Sequence, residues 1–322
     1  MISASELRKS YGQTLAVRGV SFQAERGSVL GLLGPNGAGK TSIMKVLTGY
    51  HYPDSGTALV CGIDVTEDPV AVKAKVGYLP ESAPLYPDLT PAEYLDFAAE
   101  ARGLAGAARS SAVERAVESC GLAPVFRRPV EELSKGYRQR LGLAQAILHD
   151  PEVLILDEPT TGLDPNQILE IRALIREIGR EKTVLLSTHV LQEVEAVCSR
   201  VVILNDGLVA AMGAPSDIGE ALKGEERLRV RLRPRAGSLD ETRAAALAVG
   251  LSGLRGLRAL DDPRLAGDGS CALELAAPAG GEPGALVFDW AVENGLVLLE
   301  LERHRLSLEE IFVKLTAEGG SK

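Results

Sequence analysis

Long hydrophobic runs are missing from this sequence of 322 residues. Its longest apolar segments, such as residues 153–156 and 201–204, have the length of a β-strand, whereas a membrane-spanning helix needs about 20 apolar residues. The opening segment, MISASELRKS, also lacks the apolar stretch of a signal peptide. We therefore expect a chain without a signal peptide that does not cross a bilayer by itself.

Cysteines, aromatic residues and positive charge are also scarce. The four cysteines, at positions 61, 120, 198 and 271, are dispersed, which argues against both a zinc site and a disulfide framework. Aromatic residues make up 4% of the chain, few for a platform that stacks single-stranded nucleic acid. The formal net charge is -9, whereas proteins that bind phosphate backbones usually have a basic surface. A local basic groove is still compatible with this composition, but nucleic acid is disfavoured as a partner.

The rest of the composition, 45% hydrophobic and 25% charged, is typical of a globular protein with a core. Over the first two-thirds of the chain, short apolar runs alternate with helical stretches, which predicts an α/β domain with parallel strands. Ligands of such sheets bind at the carboxyl ends of the strands. We predict strands at residues 28–33, 57–60, 153–156 and 183–186, helices at 41–48 and 168–179, and a mostly helical region at 91–150 with a break near 103–110.

The composition changes after about Gly219. Leu228, Val230 and Leu232 alternate with arginines, as in a half-exposed strand. The segments that follow read as a helix at 239–249, a short strand near 254–260, a loop, a strand at 271–275, a helix through 288–292 and a strand at 296–301. This βαββαβ order fits a small ferredoxin-like α+β domain. We therefore predict two domains, at residues 1–219 and 220–322, and a last helix at 308–315.

A phosphate-binding loop follows the first predicted α/β strand. The sequence GPNGAGKT matches the P-loop pattern, and its residues are Gly34, Pro35, Asn36, Gly37, Ala38, Gly39, Lys40 and Thr41. The glycines let backbone N–H groups wrap a polyanion, and the following helix directs its positive end at the phosphates. In this pattern Lys40 reaches the β- and γ-phosphates and the Thr41 hydroxyl ligates Mg²⁺. The apolar strand before the loop and the amphipathic helix after it are the context that the motif requires.

Two carboxylates, Asp157 and Glu158, end the apolar run at residues 153–156. Such a pair is more often just the place where a strand meets its loop, but the P-loop upstream favours a functional interpretation. Asp157 would then hold Mg²⁺, directly or through water. Glu158, one residue further out, could polarise a water for in-line attack on the γ-phosphate.

Further motifs appear in a fixed order around these two. They are Tyr11 before a glycine, LSKGYRQR at residues 133–140, GLDP at 162–165 and STH at 187–189. Together they resemble the adenine-stacking aromatic, the signature, the D-loop and the switch histidine of the ATP-binding subunits of ABC transporters, over residues 1 to about 215. GYLPE at 77–81, the form of the signature and the ending SLEEIF at 307–312 resemble type-2 exporters, with the gliding-motility and copper-maturation subunits looking closest.

The resemblance implies a P-loop NTPase fold with a helical subdomain at about residues 82–150, and ATP and Mg²⁺ as ligands. It implies catalytic roles for Glu158 and His189, with His189 sensing the γ-phosphate. The nucleotide-binding residues would be Tyr11, Gly34, Pro35, Asn36, Gly37, Ala38, Gly39, Lys40, Thr41, Ser42 and, from a second subunit, Ser134, Gly136 and Asp164. The metal ligands would be Thr41, Glu81 and Asp157. Taken alone, Tyr11 is equally compatible with a core position, His189 with a loop histidine, and Asp164 with a turn.

Two motifs depart from the family pattern. Lys135, Gly136 and Tyr137 stand where the family usually has two glycines and a glutamine, and Glu81 stands where it has a glutamine. Ser134 and Gly136 keep the phosphate-facing donors of the signature. A carboxylate at position 81 can still ligate Mg²⁺ or bind water, but it adds negative charge near the metal.

As a function, the resemblance implies an ATPase that dimerises head to tail on ATP, as a homodimer or with a paired ATPase subunit. It would drive a separate multi-span membrane permease, with export as the direction, and lie in the cytoplasm, peripheral on the inner face of the cell membrane. The main alternative is a non-membrane ABC ATPase that acts on ribosomes or nucleic acid. Such members generally carry two cassettes or long insertions, and this chain has one cassette. A P-loop kinase or GTPase is a third functional hypothesis, which the signature and the switch histidine disfavour.

Overall fold

A computed structural model describes residues 1–221, 226–235, 237–254, 256–277 and 282–304. These residues form two compact units, Met1–Pro215 and the described part of the chain from Ser216 onward. The helix expected at 308–315 and the exporter-like segment at 307–312 lie outside the described residues. The boundary expected between residues 219 and 220 falls within the helix Pro215–Ala221 and stays a prediction.

The first unit alternates strands and helices along most of its length. Its strands are β1 Ile2–Tyr11, β2 Thr14–Ala24, β3 Val29–Leu33, β4 Ser55–Val60, β5 Ile63–Asp64, β6 Val76–Leu79, β7 Val153–Asp157, β8 Thr183–Thr188, β9 Arg200–Asn205 and β10 Leu208–Gly213. Its helices are α1 Lys40–Leu47, α2 Pro69–Lys75, α3 Pro91–Ala101, α4 Gly106–Ser119, α5 Lys135–Ile147, α6 Pro165–Ile178 and α7 Leu191–Val197, with single-turn 3₁₀ helices at Ala123–Val125 and Val130–Glu132. None of the described helices combines the length and apolar character that crossing a bilayer requires.

Two sheets share one hydrophobic core in this unit. The larger has six strands in the order β10-β9-β3-β8-β7-β6, all parallel except the edge strand β10. The smaller is antiparallel, in the order β2-β1-β4-β5. Leu7 of the smaller sheet, Leu32 and Ile155 of the larger one, and Met44 and Leu47 of α1 belong to the same buried cluster. The position of α1 in this core fixes the start of the helix, and with it the phosphate-binding loop.

The predicted strands and helices of this unit are confirmed, with two corrections at helix starts. Helix α6 begins at Pro165 instead of 168, because the Asp164 carboxylate accepts the N–H of Gln167 and proline suits the first helical turn. The break expected near 103–110 was wrong at its end, since α4 begins at Gly106. The alanines that follow favour the helix.

The second unit has the strand order of the predicted ferredoxin-like domain. After α8 Pro215–Ala221, its elements are β11 Glu226–Pro234, α9 Glu241–Ser252, β12 Arg258–Ala259, β13 Arg264–Leu265, β14 Cys271–Ala277, α10 Pro283–Glu293 and β15 Leu296–His304. The antiparallel sheet runs β12-β14-β11-β15, and β13 also pairs with β14. Leu228, Val230 and Leu232 face the buried cluster of this unit, as their alternation with arginines predicts.

A partly buried histidine gives the first unit a predictable dependence on pH. The Nε2 of His149 donates to the carbonyl of Val76 at 3.1 Å, and its buried Nδ1 has no partner. Burial lowers the pKa of His149 from 6.5 to about 4, and the Arg102 guanidinium acts in the same direction. The folded form therefore binds the proton less well than the unfolded chain. The contribution of neutral His149 to the free energy of unfolding is therefore fully present above pH 6.5 and is lost as the pH falls toward 4.

We expect the wild-type unit to lose about 2 kcal/mol of unfolding free energy from this histidine between pH 7.5 and pH 5. In a His149→Gln variant, whose amide can still donate to Val76, that part of the pH dependence should disappear. Urea titrations of both proteins at the two pH values measure the difference. An identical pH dependence in the variant would show that His149 does not titrate as its surroundings predict.

Candidate nucleotide-binding site

The loop between β3 and α1 is built around glycines that cannot carry a side chain. A Cβ at Gly34 would lie 2.5 Å from the Leu204 carbonyl oxygen, and a Cβ at Gly39 would lie 2.5 Å from the Ala16 carbonyl oxygen. Gly39 also has a φ of +100°, a conformation that other residues rarely adopt. Gly37 has a φ of +84° but open space around it. Close packing at both ends of the loop therefore gives it a defined shape, with its middle open to the surface.

This contrast predicts different costs for two similar substitutions. Gly39→Ala and Gly37→Ala both place a side chain at positive φ, which costs about 1–2 kcal/mol. Only Gly39→Ala also forces a methyl group into a backbone carbonyl, which should add about 1–3 kcal/mol. Urea unfolding of the first unit should therefore show roughly twice the loss for Gly39→Ala. Equal losses would mean that the loop relaxes freely at Gly39.

Lys40, the first residue of α1, turns its ammonium back into the loop. Its side chain is only 6% exposed, and Nζ donates to the carbonyls of Gly34 at 2.7 Å and Pro35 at 3.2 Å. The Ala38 N–H also donates to Pro35 at 3.2 Å, which closes the loop on itself. Thus the structure gathers the predicted residues 34–42 into one cradle with the lysine charge at its centre. Thr41 and Ser42 lie partly buried in the first turn of α1, and Asn36 is exposed.

Asp157 ends β7 beside this cradle and is 1% exposed. The Ser187 hydroxyl, from the neighbouring strand β8, donates to Asp157 Oδ1 at 2.5 Å. The same Ser187 oxygen accepts the backbone N–H of Glu158 at 3.0 Å. One serine therefore fixes both the Asp157 carboxylate and the direction in which the chain leaves the strand.

Glu158 lies between the loop lysine and the switch histidine. Its φ of +49° is unusual for a residue with a side chain. Its carboxylate is nearly buried, with Oε1 at 3.5 Å from Lys40 Nζ and Oε2 at 2.9 Å from His189 Nδ1. The Thr161 hydroxyl donates to Oε2 at 3.2 Å, while Oε1 has no hydrogen-bond donor. Strain at a polar position of this kind is typical of functional sites.

Other predicted site residues lie elsewhere on the unit. Tyr11, at the end of β1, is 42% exposed and meets His51 edge to face at 5.6 Å between ring centres. Glu81 is exposed and lines a cavity of about 430 Å³ together with Lys135, Arg138 and Thr161. Within the part of the chain that the structure describes, neither Tyr11 nor Glu81 forms a hydrogen bond or ion pair with Lys40, Glu158 or His189.

The signature and D-loop residues sit at helix starts. Ser134 is exposed and caps α5, where its hydroxyl oxygen accepts the Tyr137 N–H at 3.3 Å. Gly136 is buried in the first turn, where a Cβ would lie 2.5 Å from the Gln167 side chain of α6. Asp164 is exposed and caps α6. The first turn of α5 and the first turn of α6, which follows the D-loop, therefore meet through Gly136 and Gln167 within one chain.

Three residues of this region were not anticipated from the sequence. Glu193 of α7 is buried and accepts the hydroxyl of Thr188 at 2.6 Å and that of Thr160. Thr188 is adjacent to His189, and Thr160 lies two residues after Glu158. Thr188 belongs to the STH motif and Thr160 lies close to the acidic pair, but the sequence assigns neither threonine a role. Nothing in the sequence indicates that Glu193 reaches them.

A glycine cradle before a helix, a central lysine, and carboxylates at the end of another parallel strand of the same sheet define a P-loop nucleotide-hydrolysing protein. The model of the family "ABC transporter" matches residues 17–161. The linearmycin resistance ATP-binding protein LnrL of Bacillus subtilis (strain 168) is 37% identical over 229 residues, which cover 70% of this chain and 73% of that protein. The Nod factor export ATP-binding protein I of Paraburkholderia xenovorans (strain LB400) is 40% identical over 216 residues, covering 67% and 71%.

A solved structure described as the ATP-binding subunit of an ABC transporter superposes with a TM-score of 0.63 at 31% identity, over 69% of this chain and 93% of that chain. The chain belongs to the ATP-binding subunits of ABC transporters. It is an ATPase whose hydrolysis of ATP is coupled to transport, and its domain is of the kind that dimerises and pairs with a membrane permease. The expected fold and family are confirmed. The alternative of an ATPase acting on ribosomes or nucleic acid is not supported, because the family model is that of ABC transporters and the relatives include a Nod factor export protein.

Proposed function

We propose that this chain closes as a head-to-tail homodimer around two Mg²⁺-ATP molecules and drives an export permease. The observation that carries the proposal is the position of Glu158. Its two carboxylate oxygens lie 3.5 Å from the P-loop lysine and 2.9 Å from the switch histidine. A base held between the phosphate-binding cation and a second polar group is suited to polarising a water in line with the γ-phosphate.

Each side chain has a separate task in this proposal. Lys40 neutralises the β- and γ-phosphates, and Glu158 accepts a proton from the attacking water. His189, whose Nδ1 lies against Glu158 Oε2, keeps the carboxylate oriented and meets the γ-phosphate with its half-exposed ring. Because Glu158 is nearly buried, little water competes for its oxygens, and its direction is set by Lys40, His189 and Thr161.

The oxygen atoms beside the cradle fit Mg²⁺. This cation prefers hard oxygen ligands and is usually held by one or two carboxylates together with substrate phosphates. Asp157 offers a carboxylate oriented by Ser187, and Thr41 offers a hydroxyl in the first turn of α1. When bound, Mg²⁺ would neutralise phosphate charge during transfer. Glu81 is the third proposed ligand, from the loop after β6.

The glutamate at position 81 makes the metal dependence testable. We expect Glu81→Gln to raise the Mg²⁺ concentration needed for half-maximal ATPase activity by about 3- to 10-fold, because an amide binds a divalent cation less strongly than a carboxylate. ATP affinity without the metal should be unchanged. Glu131→Gln, which alters an exposed carboxylate lining the same cavity, is the matched control. The same Mg²⁺ requirement in both variants would remove Glu81 from the metal site.

A homodimer is supported by the presence of both halves of the site in one chain. Lys40 and the cradle form one half. The start of α5 at the exposed Ser134 forms the other, where the positive end of the helix favours a phosphate group. Two copies related by a two-fold axis would place Ser134, Gly136 and Asp164 of one subunit over the nucleotide of the other. Lys135 would bring an added cation to that surface.

A groove on the surface of the first unit supports a membrane permease as the partner. This groove of about 420 Å³ lies where the six-stranded sheet meets the helical segment, between Tyr50, Tyr78, Pro84 and Arg102. Tyr50 is 69% exposed and, with the partly exposed Tyr78, gives the groove an aromatic surface that a partner could cover. In this proposal the permease occupies the groove and holds the chain at the inner face of the cell membrane. Export is supported by the similarity to the Nod factor export ATP-binding protein I given above.

Photo-crosslinking in native membranes tests the permease contact. A crosslinking amino acid at Tyr50 should capture one multi-span membrane protein, and the same label at the exposed Leu169 of α6 should not. The captured protein should also stimulate ATP hydrolysis when both are reconstituted. Crosslinks to ribosomal proteins, or equal capture from both positions, would contradict the assignment.

A further inference from the structure

A buried carboxylate, Glu193, lies beside the site without a task in the scheme above. It is 6% exposed and sits in the first turn of α7, directly after the switch histidine segment. Both of its oxygens accept threonine hydroxyls, one from Thr188 at 2.6 Å and one from Thr160. Within the described residues it forms no ion pair. A buried charge held only by hydroxyl groups is an expensive way to stabilise a fold, so stability alone does not explain it.

The two threonines belong to the two segments that carry the catalytic side chains. Thr160 lies in the base loop, which we define as residues 158–161, between Glu158 and Thr161. The hydroxyl of Thr161 contacts the Glu158 carboxylate at 3.2 Å. Thr188 begins the switch loop, which we define as residues 188–190. Its hydroxyl oxygen accepts the Val190 N–H at 3.0 Å, and its carbonyl accepts the Gly34 N–H of the phosphate cradle at 3.3 Å.

We propose that Glu193 is a positioning residue that ties the base loop to the switch loop. By accepting one hydroxyl from each loop, its carboxylate fixes their separation and so keeps Glu158 Oε2 at 2.9 Å from His189 Nδ1. The proposal rests on the roles given above to Glu158 and His189. It matters for rate because a misplacement of about 1 Å at reacting groups can cost roughly 100-fold in turnover.

A positioning role and a purely structural role give different kinetics. If Glu193 only stabilises the fold, its loss lowers the melting temperature but leaves kcat per folded molecule intact. If it positions the two loops, kcat falls while the affinity for ATP is kept, because Glu193 does not touch the cradle lysine. A positioning role also predicts that substitutions of Glu193 and of a threonine are not additive, because both threonines act through the same carboxylate.

The test measures kcat, KM and ATP affinity of the full chain below its melting temperature. We expect Thr160→Val and Thr188→Val each to lower kcat about 10-fold and Glu193→Leu about 100-fold, with KM within about 3-fold of wild type. Thr160→Ser and Thr188→Ser keep the hydroxyl and should restore kcat. Glu193→Leu combined with Thr160→Val should be no slower than Glu193→Leu alone. Glu195→Gln, an exposed carboxylate on the same helix, is the control and should match wild type.

Wild-type kcat in Glu193→Leu and in both valine variants would overturn the proposal, and so would serine variants as slow as the valine ones. If Glu193→Leu does not fold, the valine and serine pairs decide the question. Parallel assays of Glu158→Gln distinguish a failure of the proposed base from a failure of the positioning role alone. Full activity in that variant would refute the base itself, whereas inactive Glu158→Gln beside fully active Glu193 variants would refute only the positioning role.

Discussion

Replacing Glu158 by glutamine is expected to lower ATP turnover by about 100-fold or more, since general bases contribute roughly 10²–10⁴-fold to rate. The amide keeps the shape of the side chain, but it cannot accept the proton of the attacking water. It also removes a negative charge 3.5 Å from Lys40 Nζ, so ATP binding should persist or strengthen. The ATP-bound dimer should therefore accumulate. Phosphate release and light scattering with Mg²⁺-ATP measure the two effects.

The matched control for this substitution is Glu177→Gln, an exposed glutamate of α6. It should retain wild-type turnover and should not accumulate dimers. Unchanged ATPase activity in Glu158→Gln would remove Glu158 from the role of base. In that case the short contact between Glu158 and His189 would have to be structural.

Replacing Lys40 by alanine should weaken ATP binding by about 100-fold, because hydrogen bonds to charged phosphates are worth roughly 1.5–3 kcal/mol each. Lys40 is the only positively charged side chain among residues 34–42, and the change removes it from the cradle that they form. It also leaves the nearly buried Glu158 carboxylate without its neighbouring charge. Calorimetric titration with ATP in the presence of Mg²⁺ measures the loss.

Lys45→Ala is the control for this variant, since Lys45 lies in the last turn of the same helix. Its ATP affinity should equal that of wild type. Normal nucleotide affinity in Lys40→Ala would count against the P-loop assignment. Melting curves without nucleotide identify any part of the effect that comes from a loosened loop.

Strands with continuous apolar runs were predictable from the sequence, and irregular strands were not. Every residue of β3, β7 and β8 is buried, as expected for central parallel strands covered on both faces. Strands β1 and β2 escaped prediction because their pairing shifts register at several points. One such shift follows Ala4 and includes Glu6, with a φ of +47°. These irregularities break the alternation of apolar and polar residues on which strand prediction depends.

The clustering of Lys40, Glu158 and His189 was predictable for a topological reason. Lys40, Asp157 and His189 follow three strands that are neighbours in the larger sheet, and the carboxyl ends of parallel strands meet at one edge. The positive φ of Glu158, which turns its carboxylate toward Lys40, has no signal in the sequence. Glu193 also has none, because its role depends on two hydroxyl groups that only the folded chain brings together.

The central claim is that one nucleotide is shared by the Lys40 cradle of one subunit and the Ser134 helix start of another. Two forms of the hydrolysis-blocked Glu158→Gln chain test it directly, one also carrying Lys40→Ala and the other also carrying Ser134→Arg. With Mg²⁺-ATP, neither form alone should dimerise, because each lacks one half of every site. Mass photometry of the mixture should show a heterodimer, which contains one complete site. A mixture that stays monomeric while the chain with Glu158→Gln alone dimerises, or equal dimerisation of each form by itself, would contradict the account.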